Sequence, residues 1–330
     1  MHRLSFDRTQ QILDAVRHVR VLVLGDVMLD VYLHGVALRI SPEAPVPIVR
    51  VQEETRAVGG AANVAANIIA LGGRCDLVGC VGADRAGDAL LHELERHGIG
   101  ASGIVTTPER PTTVKTRIMA RQQQVARFDH EQDVDVPEAI CAEISERLRR
   151  LLPTVDAVVI EDYDKGLLTR SLIRTVMTAA RAAGRPVIVD PKSRHFFDYG
   201  GCTVFKPNTA ELSAALRLPV EADRREWLEE VRAQIGCEHL LVTLGEDGMT
   251  LLTHDGEHVR VPTVARSVYD VSGAGDTVTA VLGVALAAGA SMIEAAVLAN
   301  QAAGIEVGKA GVATVSPEEL LAIIEQPVVV

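Results

Sequence analysis

Aromatic side chains are scarce in this chain, at 3% of its residues. Bulky rings cannot fill the interior, so the core must be built mainly from Ala, Val, Leu and Ile, a composition that suits helices packed on a parallel sheet. Basic charge is also in short supply: 33 Lys and Arg against 44 Asp and Glu leave a formal net charge of −11. That balance argues against a nucleic-acid or anionic-membrane surface, since both need a basic face, but it allows a single anionic metabolite held by a few local cations. The five cysteines, Cys75, Cys80, Cys141, Cys202 and Cys237, include no CxxC pair, which disfavours a zinc knuckle or a disulfide framework. No secretory apolar segment opens the sequence, and its most apolar stretch, 277–290, is too short to span a bilayer. A reduced, cytoplasmic protein is the expectation.

What the chain does have is repeated alternation of strand-like and helix-like segments. Residues 19–26, VRVLVLGD, read as a buried strand after an amphipathic lead-in. The stretch 31–51 carries Pro42, Pro45 and Pro47, so a small irregular β-flap fits it better than a core strand. Helices are expected over 59–73, 87–96, 137–152, 169–183, 209–216, 223–234, 275–288 and 293–308. Strands are expected over 76–81, 112–120, 124–129, 157–162, 186–191, 202–208, and from 239 into a turn by 248. The pattern predicts a doubly wound, mostly parallel sheet with helices on both faces, whose ligands bind where strands end. One α/β domain over 1–330 is expected, with a β-lid from about 31–51 and 112–128.

The sharpest local signal is YDVSGAGDTVTA, residues 269–280. Glycines at 273 and 275 let backbone N–H groups converge, and an apolar helix follows directly, so its N-terminus can cradle a phosphoryl group. Asp276 falls in that first turn, where a substrate hydroxyl could lie between it and a γ-phosphate. The same spacing also serves an ordinary helix start, with the glycines merely making the turn. A Rossmann reading lacks the third glycine of GxGxxG, and no GxxxxGK[ST] occurs, which removes a Walker-type kinase.

DVSGAGDT together with GGAANVAANIIALG (59–72) resembles the paired signatures of ribokinase-like, PfkB-type carbohydrate kinases. Between them DPK (190–192), KPNTAE (206–211) and VTLGEDG (242–248) stand in the order that family shows. GDVMLD (25–30), RISPEAPVPIV (39–49), YDKG (163–166) and VGKAGVATVSP (307–317) further resemble bacterial D-glycero-β-D-manno-heptose-7-phosphate kinases. The resemblance implies a ribokinase-like fold and transfer of the ATP γ-phosphate to an anomeric hydroxyl, giving heptose 1,7-bisphosphate for lipopolysaccharide cores. Many members of that group are fused to a nucleotidyltransferase; a chain stopping at Val330 leads to the expectation of a stand-alone kinase.

By this resemblance Asp276 is the catalytic base, ionised at its helix N-terminus, and Gly273, Ala274 and Gly275 form the anion hole. Asp26 and Asp30, just after the first strand, would accept hydrogen bonds from sugar hydroxyls, though both can also serve as turn or cap residues. Gly59 and Gly60 would allow close approach of the sugar, and Asn63 would read a hydroxyl or act as a cap. Lys115, Arg117, Arg121 and Arg127 form a basic cluster suited to a substrate phosphate, with Lys115 and Arg117 on one strand face. A solvated flap surface is the plainer account of that cluster. Gln123 and Gln124 are further hydroxyl readers.

For ATP, Asn208 and Glu211 match an NxxE motif that organises Mg²⁺ and its waters. Lys192 would approach the phosphates, Thr243, Gly245 and Gly248 would border ribose or phosphate, and Asn300 would lie near adenine. Each has a bland reading as cap, turn or surface residue. Asp270, with carbonyls around Ser272 and Gly311, is a candidate for a monovalent cation such as K⁺. The rival readings are a same-fold kinase of another sugar, a non-catalytic metabolite sensor and an NAD-dependent oxidoreductase. A homodimer through 31–51 and 112–128 is expected.

Overall fold

Successive residues of one strand, Arg20–Gly25, fall alternately into two separate cores: Val21 and Val23 pack on one face, Leu22 and Leu24 on the other. Apolar residues at every position of a period-two element are what a strand covered by helices on both faces requires. The structure, a computed structural model, describes residues 4–121, 123–265, 268–309 and 311–325.

Along the chain the elements run α1 (Phe6–Val16), β1 (Arg20–Gly25), β2 (Val27–Ile40), β3 (Pro47–Gly60), α2 (Ala61–Ala70), β4 (Arg74–Gly82), α3 (Arg85–Arg96) and β5 (Gly100–Thr107). Then come β6 (Thr113–Ala120), β7 (Gln123–His130), α4 (Glu138–Leu151), β8 (Ala157–Glu161), α5 (Arg170–Ala182), β9 (Val187–Asp190) and β10 (Val204–Phe205). The last are α6 (Thr209–Leu216), α7 (Arg225–Ile235), β11 (His239–Thr243), β12 (Met249–Leu252), β13 (His258–Val261), α8 (Ala274–Ala287), α9 (Met292–Glu306) and α10 (Pro317–Glu325).

Among the described residues the large sheet is ordered β13-β12-β11-β10-β9-β8-β1-β4-β5, parallel from β11 through β5, with an antiparallel hairpin at the β13 end. Helices α1, α2, α3, α8, α9 and α10 cover one face, and α4, α5, α6 and α7 the other. This is the doubly wound, mostly parallel α/β sheet that the alternation predicted.

A second, four-stranded sheet is ordered β3-β2-β6-β7. It is larger than the expected flap: β2 and β3 are 14-residue strands paired from Val27↔Gly60 out to Ile40↔Pro47. The prolines do not break it, because Pro42 and Pro45 lie in the connecting loop and Pro47 starts β3, where the missing N–H costs little. In the 59–73 segment the helix begins at Ala61, after the glycine pair, since Gly59 and Gly60 still belong to the ladder.

Five elements escaped the sequence reading. Strand β5 is glycine-rich and weakly apolar, and Gly103 is needed because a Cβ there would press on the Leu77 carbonyl. The β12–β13 hairpin turns near Asp255-Gly256, a dipeptide that was a legible turn signal. Helices α1 and α10 contact each other at the edge of the α-layer.

Candidate active site

The N-terminus of α8 is opened by Gly273, whose φ of 98° lies in the left-handed region that side chains resist. A Cβ at that position would stand 3.1 Å from Asn63 Nδ2 and 3.3 Å from Glu306 Oε1. The turn thus brings the amides of Ala274 and Gly275, with the positive end of the helix dipole, to the carboxyl ends of β8, β9 and β10.

Asp276 is buried in this first turn. Its Oδ2 accepts a hydrogen bond from Asn63 Nδ2 at 2.7 Å, and its Oδ1 accepts one from the Tyr163 hydroxyl at 2.7 Å. Burial pushes its carboxyl up to about 6, with the Asp190 charge adding to the rise and the two donors and Lys206 opposing it. It is therefore mostly ionised at neutral pH, but less firmly than its helix position alone suggested.

Beneath it lies a cluster that the sequence reading did not single out. Carboxylate oxygens of Glu161, Asp190 and Asp276 lie within 4.8 Å of one another. Lys206, also buried, places Nζ 2.7 Å from Asp190 Oδ2, and it keeps its proton because Asp190 and Glu161 outweigh the cost of burial. Burial, with the charges of Asp190 and Asp276, raises the Glu161 carboxyl well above the usual carboxylate range. The Lys206 ammonium thus offsets part of the cluster's negative charge. The available signal was position: Glu161 and Asp190 end buried strands, Lys206 directly follows β10, and Tyr163 comes two residues after β8.

Around the ends of β1, β2 and β3 several expected roles change. Asp26 is not free for sugar hydroxyls: its carboxylate accepts the backbone N–H groups of Tyr163, Lys165 and Leu167 and so organises the loop after β8. Gly59 and Gly60 make room for protein rather than ligand, because Cβ atoms there would meet the Asp30 carboxylate and the Asp26 carbonyl. Asn63 is committed to Asp276 through Nδ2, with its Oδ1 3.4 Å from Asn67 Nδ2, so it orients the carboxylate instead of reading a hydroxyl. Asp30 is buried in an ion pair with Arg117.

Lys115 and Arg117 do share a face of β6, and their cationic groups lie 5.2 Å from the ring centroids of Tyr163 and Tyr32 respectively. Burial lowers the Lys115 ammonium from its usual range. Arg121 and Gln124 are not brought to Asp276. Arg121 is exposed in the β6–β7 turn with φ 59°, six residues or roughly 20 Å of strand from Lys115. Gln124 is exposed beside Met119, Gln123 is exposed beside Ala120, and Arg127 pairs with Asp129.

On the other side of the α8 N-terminus is a cleft of about 500 Å³. Asn208, Thr243, Gly245, Gly248, Gly275 and Asn300 all line it, and Val268, Val271, Val278 and Val307 give it an apolar wall. Asn300 donates to the Pro262 carbonyl at 2.8 Å. Asn208 and Glu211 form a capping box on α6, so the cap reading is correct for their mutual contacts. Glu211 also pairs with Lys192, whose ammonium lies 5.4 Å from the Tyr163 ring centroid.

Asp270 accepts the Ser272 N–H at 2.9 Å. Close by is a residue the sequence reading missed, Glu306 in α9, fully buried, whose carboxylate oxygens accept no hydrogen bond from a side chain among the described residues. Burial, reinforced by Asp270 and Asp276, pushes it up to about 8, tempered by the Ala313 amide. Ala310, within the VGKAGVATVSP segment, lies outside the described residues.

Comparisons with known proteins show the family and the fold. Residues 19–319 match the family model described as pfkB family carbohydrate kinase. A bifunctional protein HldE from Chromohalobacter salexigens is 46% identical over 309 residues, which are 93% of this chain; the chain spans 64% of that relative's length. Arabidopsis thaliana ribokinase complexed with ribose and ATP superposes with a TM-score of 0.72 at 21% identity, covering 94% of this chain and 99% of that one. Escherichia coli phosphofructokinase-2 in complex with potassium gives 0.77 at 20% identity, covering 93% and 100%. Among the described residues no helix is long and apolar enough to cross a membrane.

Proposed function

The chain belongs to the pfkB family of carbohydrate kinases, and on that premise we propose that it transfers the ATP γ-phosphate to the anomeric C1 hydroxyl of D-glycero-β-D-manno-heptose 7-phosphate. The product is heptose 1,7-bisphosphate, destined for ADP-heptose and lipopolysaccharide core synthesis. The observation that carries the reading is Asp276, a buried and largely ionised carboxylate between the cleft edged by Gly275 and the sheet that carries Lys115. The heptose assignment draws on the motifs at 25–30, 39–49 and 163–166, and the substrate phosphate on Lys115 and Arg117.

In this mechanism Asp276 removes the hydroxyl proton as the sugar oxygen attacks the γ-phosphorus and ADP leaves. The amides of Ala274 and Gly275 meet charge on the transferring phosphoryl group, because such a step needs alignment and charge stabilisation more than covalent help. Lys192 approaches the phosphates, and the apolar wall by Asn300 receives the base. Hydrated Mg²⁺ fits beside Asn208 and Glu211, whose remaining lone pairs can hold its waters, and it supplies charge neutralisation for the phosphates. A monovalent cation, K⁺, would fit by Asp270, beside the buried Glu306 carboxyl, whose ionised form it would favour.

The β2-β3-β6-β7 sheet acts as a lid within a single kinase domain, and the protein works in the cytoplasm as a homodimer through that sheet. Exposed Leu38, Ile40, Val51 and Phe128 on its strands support the dimer, which a concentration-independent monomer mass in light scattering would sink. The central test is ATP turnover with a panel of sugars and sugar phosphates, comparing the wild type with Asp276→Asn. Turnover confined to the heptose 7-phosphate and reduced by ~10²–10⁴-fold in the variant supports both substrate and base. Turnover with another sugar overturns the heptose assignment alone.

A further inference from the structure

We infer that Tyr163 is a positioning residue for the base: its hydroxyl fixes Oδ1 of Asp276, while its ring meets one lysine from the sugar-side sheet and one from the nucleotide side. This deepens the kinase reading and rests on Asp276 being the base.

Three sets of contacts hold Tyr163. Its hydroxyl donates to Asp276 Oδ1 at 2.7 Å. The ammonium groups of Lys115 and Lys192 lie 5.2 and 5.4 Å from its ring centroid, within cation–π range. Its backbone N–H donates at 3.0 Å to the buried carboxylate of Asp26, which also takes the amides of Lys165 and Leu167. Backbone, ring and hydroxyl are each constrained.

With Asn63 on Oδ2 and Tyr163 on Oδ1, rotation of the Asp276 carboxylate is blocked at both oxygens. Each oxygen keeps a second lone pair, so a substrate hydroxyl can still be met in a fixed plane. The phenol stays a donor throughout, since burial and the charges of Asp276, Glu161 and Asp190 hold its proton well above the usual range. A donor also favours the ionised carboxylate against the cost of burial. The charged or titratable groups facing Asp276 are Glu161 and Tyr163 from the β8 end, Asp190 from β9, Lys206 after β10 and Glu306 from α9.

The test is Tyr163→Phe in the full chain, which keeps the ring and deletes the donor. The expected result is kcat lower by about tenfold with the KM for ATP nearly unchanged, and an acid limb of the kcat profile displaced upward by about half a pH unit or more. In an Asp276→Asn background the same change should cost little further, because the two residues act as one unit. A kcat loss with an unshifted limb, or losses that multiply in the double variant, would mark a purely structural role and overturn the inference. Full activity in Asp276→Asn would instead remove the base reading itself. If Y163F fails to fold, the wild type decides: a slowly exchanging phenolic proton seen by NMR, lost in Asp276→Asn, supports the contact, and its absence in the wild type overturns it.

Discussion

Asn63 Nδ2 donates to Asp276 Oδ2 across 2.7 Å, joining residues 213 positions apart in the chain. The N-terminal glycine-rich signature and the C-terminal glycine turn therefore meet at one carboxylate. In the proposed mechanism one supplies the base and the other helps to orient it.

Burial places the Asp276 carboxyl at about 6, and a base works only when deprotonated. Turnover should rise about tenfold per pH unit below that value and level off above about pH 7. Steady-state kcat between pH 5 and 8 at saturating substrates checks this. A flat profile with the chemical step rate-limiting would place the base elsewhere.

Arg117 and Asp30 form a buried pair on the smaller sheet, with side-chain exposures of 14% and 5%. Removing Arg117 alone should destabilise the protein by roughly 3–5 kcal/mol, because Asp30 is then left charged and unpaired. The double change Asp30→Ala with Arg117→Ala should cost clearly less than the sum of the singles. Denaturant melts of all four species give the coupling energy, and strict additivity would refute a stabilising pair.

Gly60 has φ 59°, and a Cβ there would collide with the Asp26 carbonyl. Gly60→Ala should lower stability by about 1–3 kcal/mol or more and disturb Asn63, three residues on. Gly245, with φ 61° and open space around it, carries only the backbone penalty. Thermal midpoints should therefore fall further for Gly60→Ala than for Gly245→Ala.

Glu306 holds its proton in the folded state up to about pH 8, whereas an unfolded Glu releases it near 4.5. Its folded value is raised, so the stabilisation it gives is full below pH 4.5 and is lost as pH climbs toward 8. Glu306→Gln removes that titration. In buffer free of K⁺ and Na⁺, the variant's melting temperature relative to wild type should rise between pH 5 and 8. A difference that stays constant with pH would show that Glu306 is not buried as an uncompensated acid.

The sequence by itself determined the layer architecture, because alternating apolar strands and amphipathic helices are local patterns that only one packing satisfies. It also marked the phosphate loop, since paired glycines before an apolar helix have a direct backbone meaning. Residues that line the cleft beside the α8 N-terminus, from Asn208 to Asn300, were legible through motif order alone. What only the tertiary structure decided were the partners of polar side chains. Asp26 turned inward to three amides, Asn63 to Asp276, and Glu161 and Lys206 joined the floor of the site, while Arg121 and Gln124 stayed at a distant turn. The physical reason is that strand register and helix approach set which buried donors and acceptors face one another. A carboxylate or amide carries no local signature that says which of several distant partners it will meet.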